Sequence, residues 1–345
     1  MIDTPPAAPA RLLVRAPNWL GDAVMALPAL AGVRAAFPSS VIGIAAPASI
    51  ALLFDEGTTA APDEVIALDE GRSEVRALAA GRFDAALLLP NSFRSAWTAR
   101  RANIPERWGY SANLRSRLLT RAVSRPSGKR HQSAYYLELA RGLGIPAPDA
   151  LPRVTPRAAT VARAVELLSR SGIEPGTVVV GFAPGAAYGH AKRWPPARVA
   201  ALVRRVFEEA GAVSVLVGAA GDREAGREIE SSLSSGVRLV NLIGRTDLRL
   251  LTGVLARCRA FVSNDSGAMH LAAALGVRVA AIFGPTDERA TAPMGDHDVL
   301  IHQVFCRPCM LRDCPIDHRC MKGITVDAVF TAVARRLDAP KQVSR

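Results

Sequence analysis

The sequence predicts an α/β protein made of two Rossmann-like halves. Short apolar runs alternate with helical patterns of roughly ten to fifteen residues, and this alternation occurs on both sides of a proline-rich stretch at 144–152. Strands that alternate with helices form mostly parallel sheets covered on both faces. Because 345 residues are many for one core, we expect two domains, residues 1–155 and 156–345.

The first half opens with a strand, a helix and two further strands. They are expected at Arg11–Ala16, Asp22–Ala36, Val41–Ala46 and Phe83–Leu89. The second half contains five short apolar runs, at Val178–Pro184, Val213–Gly218, Leu239–Leu242, Ala260–Ser263 and Val277–Gly284. Ligands of such sheets bind at the carboxyl ends of the strands, so a ligand is expected in a cleft between the two halves.

Composition restricts the classes of function. With 49% hydrophobic and 21% charged residues, the chain is typical of globular proteins. No segment has the apolar length of a membrane span, and the N-terminus lacks the pattern of a secretion signal, so we expect a cytoplasmic protein.

Positive charge is concentrated in one stretch of the first half. The formal net charge is +12, and residues 94–130 contain ten Lys or Arg against the single acid Glu106. Such a stretch suits an anionic partner, such as a phosphorylated or carboxylated molecule or an anionic membrane, although a solvated arginine-rich surface is the simpler alternative. Nucleic acid is disfavoured, because no nucleic-acid module accompanies the stretch.

Three polar segments follow predicted strands and carry candidate chemistry. Asp22 begins the first helix and could act as a general base or as an N-cap. The small residues of the loop 184–195 would let the protein backbone approach a ligand closely, and Lys192 could meet a diphosphate. The alternative is an ordinary connection with an exposed basic pair. At 263–270, a polar turn with Gly267 opens a helix whose N–H groups could hold phosphate, or which is only well capped by Asp265 or Ser266.

These segments resemble the ADP-heptose:lipopolysaccharide heptosyltransferases of glycosyltransferase family 9, most closely the heptosyltransferase II branch. The resemblance is carried by 15–22 with 27–30, 184–185 with 191–195, and 264–270 with 283–286. It implies a GT-B fold, with two Rossmann-like domains facing each other across a cleft. The N-terminal domain would bind the acceptor and the C-terminal domain the nucleotide sugar, with the final helix packing back on the N-terminal domain.

The resemblance also implies roles for individual residues. Asp22 would be the base toward the acceptor hydroxyl, and Lys192 would be a catalytic ligand of the diphosphate. The donor would be held by Gly185, Ala186, Lys192, Asp222, Glu224, Asp265, Ser266, Gly267, Ala268 and His270, and the acid that meets the ribose, Asp222 or Glu224, stays open. The acceptor residues would be Asn18, Gly21, Arg94, Arg115 and Arg117.

The implied reaction is inverting transfer of heptose from ADP-L-glycero-beta-D-manno-heptose to a heptose of the lipopolysaccharide inner core. It would need no cofactor, because Lys192 and a helix N-terminus can stabilise the leaving diphosphate. The arginine-rich stretch would suit both the acidic acceptor and the anionic inner face of the inner membrane, where we expect the protein to attach peripherally. We also expect a monomer. The alternatives are a GT-B enzyme with another donor, a sugar 2-epimerase, or a metal- or nucleic-acid-binding protein.

Four of the five cysteines are clustered in sequence. They are Cys306, Cys309, Cys314 and Cys320, spaced C-x2-C-x4-C-x5-C. The four thiolates are close enough in sequence to ligate one metal, and the first pair has the spacing typical of zinc sites. A small structural zinc site is therefore one hypothesis. A disulfide-prone loop and reduced cysteines packed in an irregular loop are the others.

Overall fold

Residues 5–69 and 72–338 are described by the computed structural model. The chain divides into two compact units, Met1–Thr155 and Pro156–Arg345. Each unit contains a six-stranded parallel sheet with helices, which is the α/β class that the sequence predicts.

The strands of the first unit are β1 Arg11–Arg15, β2 Val41–Pro47, β3 Gly57–Thr58, β4 Glu64–Leu68, β5 Ala85–Leu88, β6 Glu106–Ser111, β7 Arg121–Ser124 and β8 Val154–Thr155. The sheet order is β4-β2-β1-β5-β6-β7, and β3 pairs with β8 in a separate antiparallel ladder. The helices are α1 Leu20–Ala36, α2 Ala48–Phe54, α3 Arg72–Ala80, α4 Phe93–Arg101 and α5 Gln132–Gly142.

The strands of the second unit are β9 Val179–Ala183, β10 Val213–Leu216, β11 Leu239–Asn241, β12 Ala260–Asn264, β13 Arg278–Phe283 and β14 His297–Ile301. The sheet order is β11-β10-β9-β12-β13-β14. The helices are α6 Ala158–Arg170, α7 Pro196–Ala210, α8 Arg223–Ser231, α9 Leu248–Arg257, α10 Gly267–Ala274, α11 Glu288–Thr291, α12 Arg319–Lys322 and α13 Val326–Asp338.

Strands at or near the centre of both sheets are largely buried, as expected when helices cover both faces of a parallel sheet. Strands β5, β9, β12 and β13 contain only buried residues, which is why they appear in the sequence as uninterrupted apolar runs. In each sheet the strand order reverses once, between β1 and β5 and between β9 and β12. Ligand sites of parallel α/β sheets lie at such reversals, beyond the carboxyl ends of the strands.

Helix α13 packs within the second unit. It contacts α7 and the strands β12, β13 and β14, and its residues Val329, Ala332 and Val333 are buried in that core. The expectation that the final helix packs back on the N-terminal domain stays a prediction. No helix in the described ranges combines the length and apolarity of a membrane span.

Candidate functional site

In the second unit, the loops after β9 and β12 are joined by a buried asparagine. Asn264 donates from Nδ2 to the carbonyl oxygens of Pro184, at 2.7 Å, and Gly185, at 3.3 Å. Its Oδ1 accepts from the backbone N–H of Trp194 at 3.2 Å. These bonds fix both ends of the loop 184–195 against the start of the turn 264–266, so the two segments singled out from sequence form one site.

Lys192 and Asp265 meet at this site. Lys192 Nζ lies 2.6 Å from Asp265 Oδ2, and the hydroxyl of Thr286 donates to the same oxygen at 2.7 Å. The side chains of Lys192 and Asp265 are only 11% and 7% exposed, so this is a largely desolvated, charge-assisted contact. Thr286 follows β13 and was not assigned a role from sequence, although it lies in a segment that carries the resemblance.

Helix α10 begins directly after this ion pair. Ser266 occupies its N-cap position, but its side chain makes no capping hydrogen bond and instead lies 3.0 Å from the hydroxyl of Ser263. The first N–H groups of an α-helix have no partner within the helix, and they carry partial positive charge. The N–H groups of Gly267 and Ala268 are therefore available to an anion, while His270, one turn further, is buried at 4% exposure.

The two acids considered for the ribose differ in their surroundings. Asp222 is buried and accepts hydrogen bonds from Arg193 and from the backbone N–H of Ala219, both at 3.1 Å. It also lies against Gly185, where a Cβ would come within 2.1 Å of the carboxylate carbon. Glu224, in the first turn of α8, is exposed, so it is the acid that a ligand can reach.

In the first unit, Asp22 lies in the first turn of α1. Trp19 holds the N-cap position, so the N-cap alternative for Asp22 is wrong. The hydroxyl of Tyr136 donates to Asp22 Oδ1 at 3.4 Å. Burial, followed by the negative charge of Asp22, raises the pKa of Tyr136, and the phenol is therefore a stable donor. Sequence reasoning missed Tyr136, which lies on α5, more than a hundred residues away.

A cavity of about 300 Å³ lies at the strand-order reversal of the first unit. Glu74 faces it, buried at 6% exposure, and pairs with Arg15 and Arg94 at 3.3 Å each. Burial lowers the pKa of Arg15, and the charge of Glu74 opposes that shift. Asn18 accepts from Arg15 at 3.1 Å, so the cavity brings together two of the predicted acceptor residues, Asn18 and Arg94.

The other predicted acceptor residues, Arg115, Arg117 and Gly21, do not line this cavity. Arg115 is fully buried, and its guanidinium donates to Tyr110 O at 2.9 Å and to Pro90 O and Ser95 Oγ. Burial lowers the pKa of Arg115 to about 10. It holds the loop after β5 and is not available to an acceptor, so that assignment is wrong.

Arg117 is exposed on the surface of the first unit, and Gly21 is partly exposed in the first turn of α1.

The clustered cysteines line a small cavity in the second unit. Its volume is about 20 Å³, and its walls include Cys306, Cys309, Cys314, Cys320 and His318. All five cysteines of the chain are free thiols. Nevertheless, within the described ranges no group of three or more His, Cys, Asp or Glu side chains is placed to hold a metal ion. This arrangement gives the structural zinc hypothesis no support.

The fold and the two sites define a class of protein. Two parallel α/β units, of which one presents a lysine and a helix N-terminus at its strand-order reversal, are typical of GT-B glycosyltransferases that use nucleotide sugars. The family model described as glycosyltransferase family 9 (heptosyltransferase) matches residues 72–319. The chain belongs to this family and is a glycosyltransferase.

Similar proteins agree with this assignment. The chain is 34% identical over 301 residues to lipopolysaccharide heptosyltransferase 2 of Salmonella typhimurium, covering 82% of this chain and 85% of that protein. It is 33% identical over 302 residues to the Escherichia coli protein of the same name, with the same coverage. The solved structure of E. coli ADP-heptose lps heptosyltransferase II matches with a TM-score of 0.81 at 29% identity, covering 95% of this chain and 98% of that chain.

Proposed function

We propose that the protein transfers heptose from ADP-heptose to a heptose of the lipopolysaccharide inner core, with inversion at the anomeric carbon. One observation carries the donor half of this proposal: Lys192 lies 2.6 Å from Asp265, immediately before the N-terminus of α10. The relatives at 30% identity or more over most of their length are heptosyltransferases 2, which favours this reaction over transfer of another sugar or epimerisation.

In the proposed reaction, the bond between the anomeric carbon and the β-phosphate oxygen breaks, and negative charge grows on the diphosphate. Lys192 and the N–H groups of Gly267 and Ala268 stabilise that charge. The oxygen of the acceptor hydroxyl attacks the anomeric carbon from the face opposite to the leaving diphosphate, and Asp22 accepts the proton of that hydroxyl. The Tyr136 hydroxyl keeps the Asp22 carboxylate oriented. No step requires a cofactor, and transfer is expected to persist in the presence of a chelator.

Glu224 is proposed to accept a hydrogen bond from the ribose, because Asp222 already accepts two hydrogen bonds from the protein. Both acids lie after β10, but Asp222 accepts from Arg193 and Ala219, whereas Glu224 is exposed and makes no contact of this kind with the described residues. Replacing Glu224 with glutamine should therefore raise the dissociation constant for ADP about tenfold, as expected for the loss of a hydrogen bond to a charged group. It should leave the melting temperature unchanged.

The cavity around Glu74 is proposed to receive the acidic acceptor. Two guanidinium groups, of Arg15 and Arg94, pair with Glu74 there, and Asp69 is the second carboxylate of the lining, so an anion would be bound by hydrogen bonds from the arginines rather than by a net positive charge. Arg94 is 59% exposed and could turn toward a phosphate or carboxylate. Replacing Arg94 with glutamine should raise the KM for the acceptor more than that for the donor, and Arg153→Gln, at an exposed arginine of the same unit that does not line the cavity, is the control.

Helix α4 is proposed to contact an anionic membrane surface, at the cytoplasmic face of the inner membrane. Phe93 and Trp97 are 47% and 43% exposed and stack with ring centroids 6.2 Å apart, while Arg100 and Arg101 lie exposed at the end of the same helix. Exposed aromatics beside arginines suit a lipid interface. Trp97→Ala should weaken sedimentation with phosphatidylglycerol vesicles, and Phe305→Ala, an exposed aromatic elsewhere, should not.

The decisive experiment offers ADP-heptose, UDP-sugars and GDP-sugars to the purified protein together with a heptose-bearing core acceptor. Acceptor-dependent release of ADP is expected, and its absence would refute the proposed function.

Asp22→Asn should bind ADP normally and transfer about 10²- to 10⁴-fold more slowly, as expected for the loss of a general base. Asp149→Asn, at an exposed carboxylate in the same unit, is the matched control. Sedimentation velocity tests the expected monomer.

A further inference from the structure

The segment 306–320, which contains the clustered cysteines, packs against two loops of the second unit that we call the donor loops, residues 184–195 after β9 and 284–291 after β13. The carbonyl of Arg312 accepts from the backbone N–H of Ala191 at 2.8 Å, and the N–H of Met310 donates to Pro285 O at 2.9 Å. The hydroxyl of Tyr188 donates to Met310 O at 2.8 Å. The backbone at 310–312 therefore bridges the loop after β9 and the end of β13.

This bridge requires close approach. A Cβ on Gly189 would lie 2.4 Å from the carbonyl oxygen of Arg312, so a larger residue there would push the two segments apart. On the other side, the buried guanidinium of Arg307 donates to Gly284 O at 2.8 Å and to Thr286 O at 3.1 Å. The segment is thus anchored at two points, and the position of Arg312 beside Lys192 is set by the backbone.

The lysine and arginine side chains of these loops and of the cysteine-containing segment differ in whether a carboxylate neutralises them. Five of them form ion pairs, namely Lys192 with Asp265, Arg193 with Asp222, Arg289 with Asp287, Arg307 with Glu288 and Arg319 with Asp317. Arg312 is the exception, since its guanidinium contacts no carboxylate in the described part of the chain. The catalytic lysine is neutralised, and the uncompensated positive charge belongs to Arg312.

Arg312 lies close enough to Lys192 to act on the same ligand. Both cations are placed over the ring of Tyr188, with Lys192 Nζ 4.6 Å and Arg312 Cζ 5.3 Å from its centroid. Both distances are measured to the same ring centroid, so Lys192 Nζ and Arg312 Cζ are no more than about 10 Å apart. An exposed arginine side chain can cover part of that distance by changing rotamer, and its planar fork matches phosphate oxygens.

We propose that Arg312 is the second cation of the diphosphate site and supplies the net positive charge that the neutral Lys192–Asp265 pair lacks. The proposal rests on the proposed function in one respect, that the second unit binds a nucleoside diphosphate sugar. In this view, Tyr188 is a positioning residue that holds both cations, and the cysteine-containing segment serves to present Arg312 to the donor.

The test compares Arg312→Gln, Arg312→Lys and Arg319→Gln. Arg319 belongs to the same segment, but its guanidinium pairs with Asp317 and lies over Phe305, so Arg319→Gln is the matched control. Arg312→Gln should weaken ADP binding about 10- to 100-fold, as expected for a charge-assisted contact, and Arg312→Lys should recover part of the loss. Calorimetry with ADP and with AMP should show a larger loss for ADP. The melting temperature should not change.

The outcomes separate this proposal from the proposed function. If Arg312→Gln binds ADP as tightly as the wild type, or weakens ADP and AMP equally, Arg312 is not a ligand of the diphosphate, whatever sugar is transferred. If the wild type binds UDP or GDP in preference to ADP, the proposed donor is wrong. The same three variants, titrated with the preferred diphosphate and its monophosphate, then decide the role of Arg312.

Discussion

Replacing Gly185 with alanine is expected to displace Asp222 and loosen the donor loops. An added Cβ would lie 2.1 Å from the carboxylate carbon of Asp222 and 2.2 and 2.3 Å from its oxygens. Carbon atoms in contact need about 3.5 Å, so the carboxylate must retreat by more than about 1 Å. Asp222 accepts from Arg193 and Ala219 at 3.1 Å each, and a displacement of that size breaks both hydrogen bonds.

The magnitude follows from these two bonds. Hydrogen bonds to charged groups contribute about 1.5–3 kcal/mol each. The side chains of Asp222 and Arg193 are 12% and 26% exposed, so water replaces part of the loss, and the lower end of the range applies. The free energy of unfolding of the second unit should therefore fall by about 3 kcal/mol, which for a unit of this size lowers the melting temperature by about 6–12 °C.

Thermal unfolding followed by circular dichroism, with and without ADP, measures this effect. Gly221→Ala is the control, because Gly221 lies in the same loop as Asp222 and a Cβ there would meet no atom within 4 Å. The reasoning is refuted if Gly185→Ala melts within about 1 °C of Gly221→Ala. A second check uses Asp222→Ala, which removes the clash, so it should cost less stability in the Gly185→Ala background than in the wild type.

Two further predictions concern Tyr136 and the thiols. Tyr136→Phe removes the donor to Asp22 and should lower kcat about two- to tenfold, the effect of one ordinary hydrogen bond, without changing the Kd for ADP; an unchanged kcat would contradict the positioning role. Burial raises the pKa of Cys258 to about 12, so at pH 8 very little of it is thiolate. Iodoacetamide should alkylate the exposed Cys309 first, and mass spectrometry would contradict this if Cys258 reacted as fast in the folded protein.

The strands that are buried throughout could be predicted from sequence, whereas several strands at or beside the sheet edges could not. Strand β13 is buried throughout, and its apolar run marks it clearly. Strands β6, β7 and β14 contain charged or half-buried residues, so no continuous apolar run distinguishes them from loops. For this reason the basic stretch at 94–130 was interpreted as a surface, although it also contributes two strands to the first sheet.

Within the candidate site, residues that a strand-turn-helix pattern marks in the sequence could be predicted. Residues whose role depends on contacts with segments distant in sequence could not. Lys192 and Asp265 follow strands and precede helices, which is a sequence signal. The burial of Arg115 depends on carbonyl groups of the loop after β5, and the contact of Tyr136 with Asp22 depends on the packing of α5 on α1. Neither contact has a local pattern, because each joins segments that only the fold brings together.

The Lys192–Asp265 pair explains why a donor site can be both buried and ready to bind an anion. An unpaired ammonium at this depth would be costly to desolvate, and Asp265 compensates that cost while the site is empty. Thr286 holds the shared oxygen at 2.7 Å, so Asp265 keeps a partner when Lys192 turns toward a phosphate. The pair stabilises the empty site but adds no net charge. Attraction of a diphosphate must therefore come from the N-terminus of α10 and from a cation outside the pair, which is the place that Arg312 occupies.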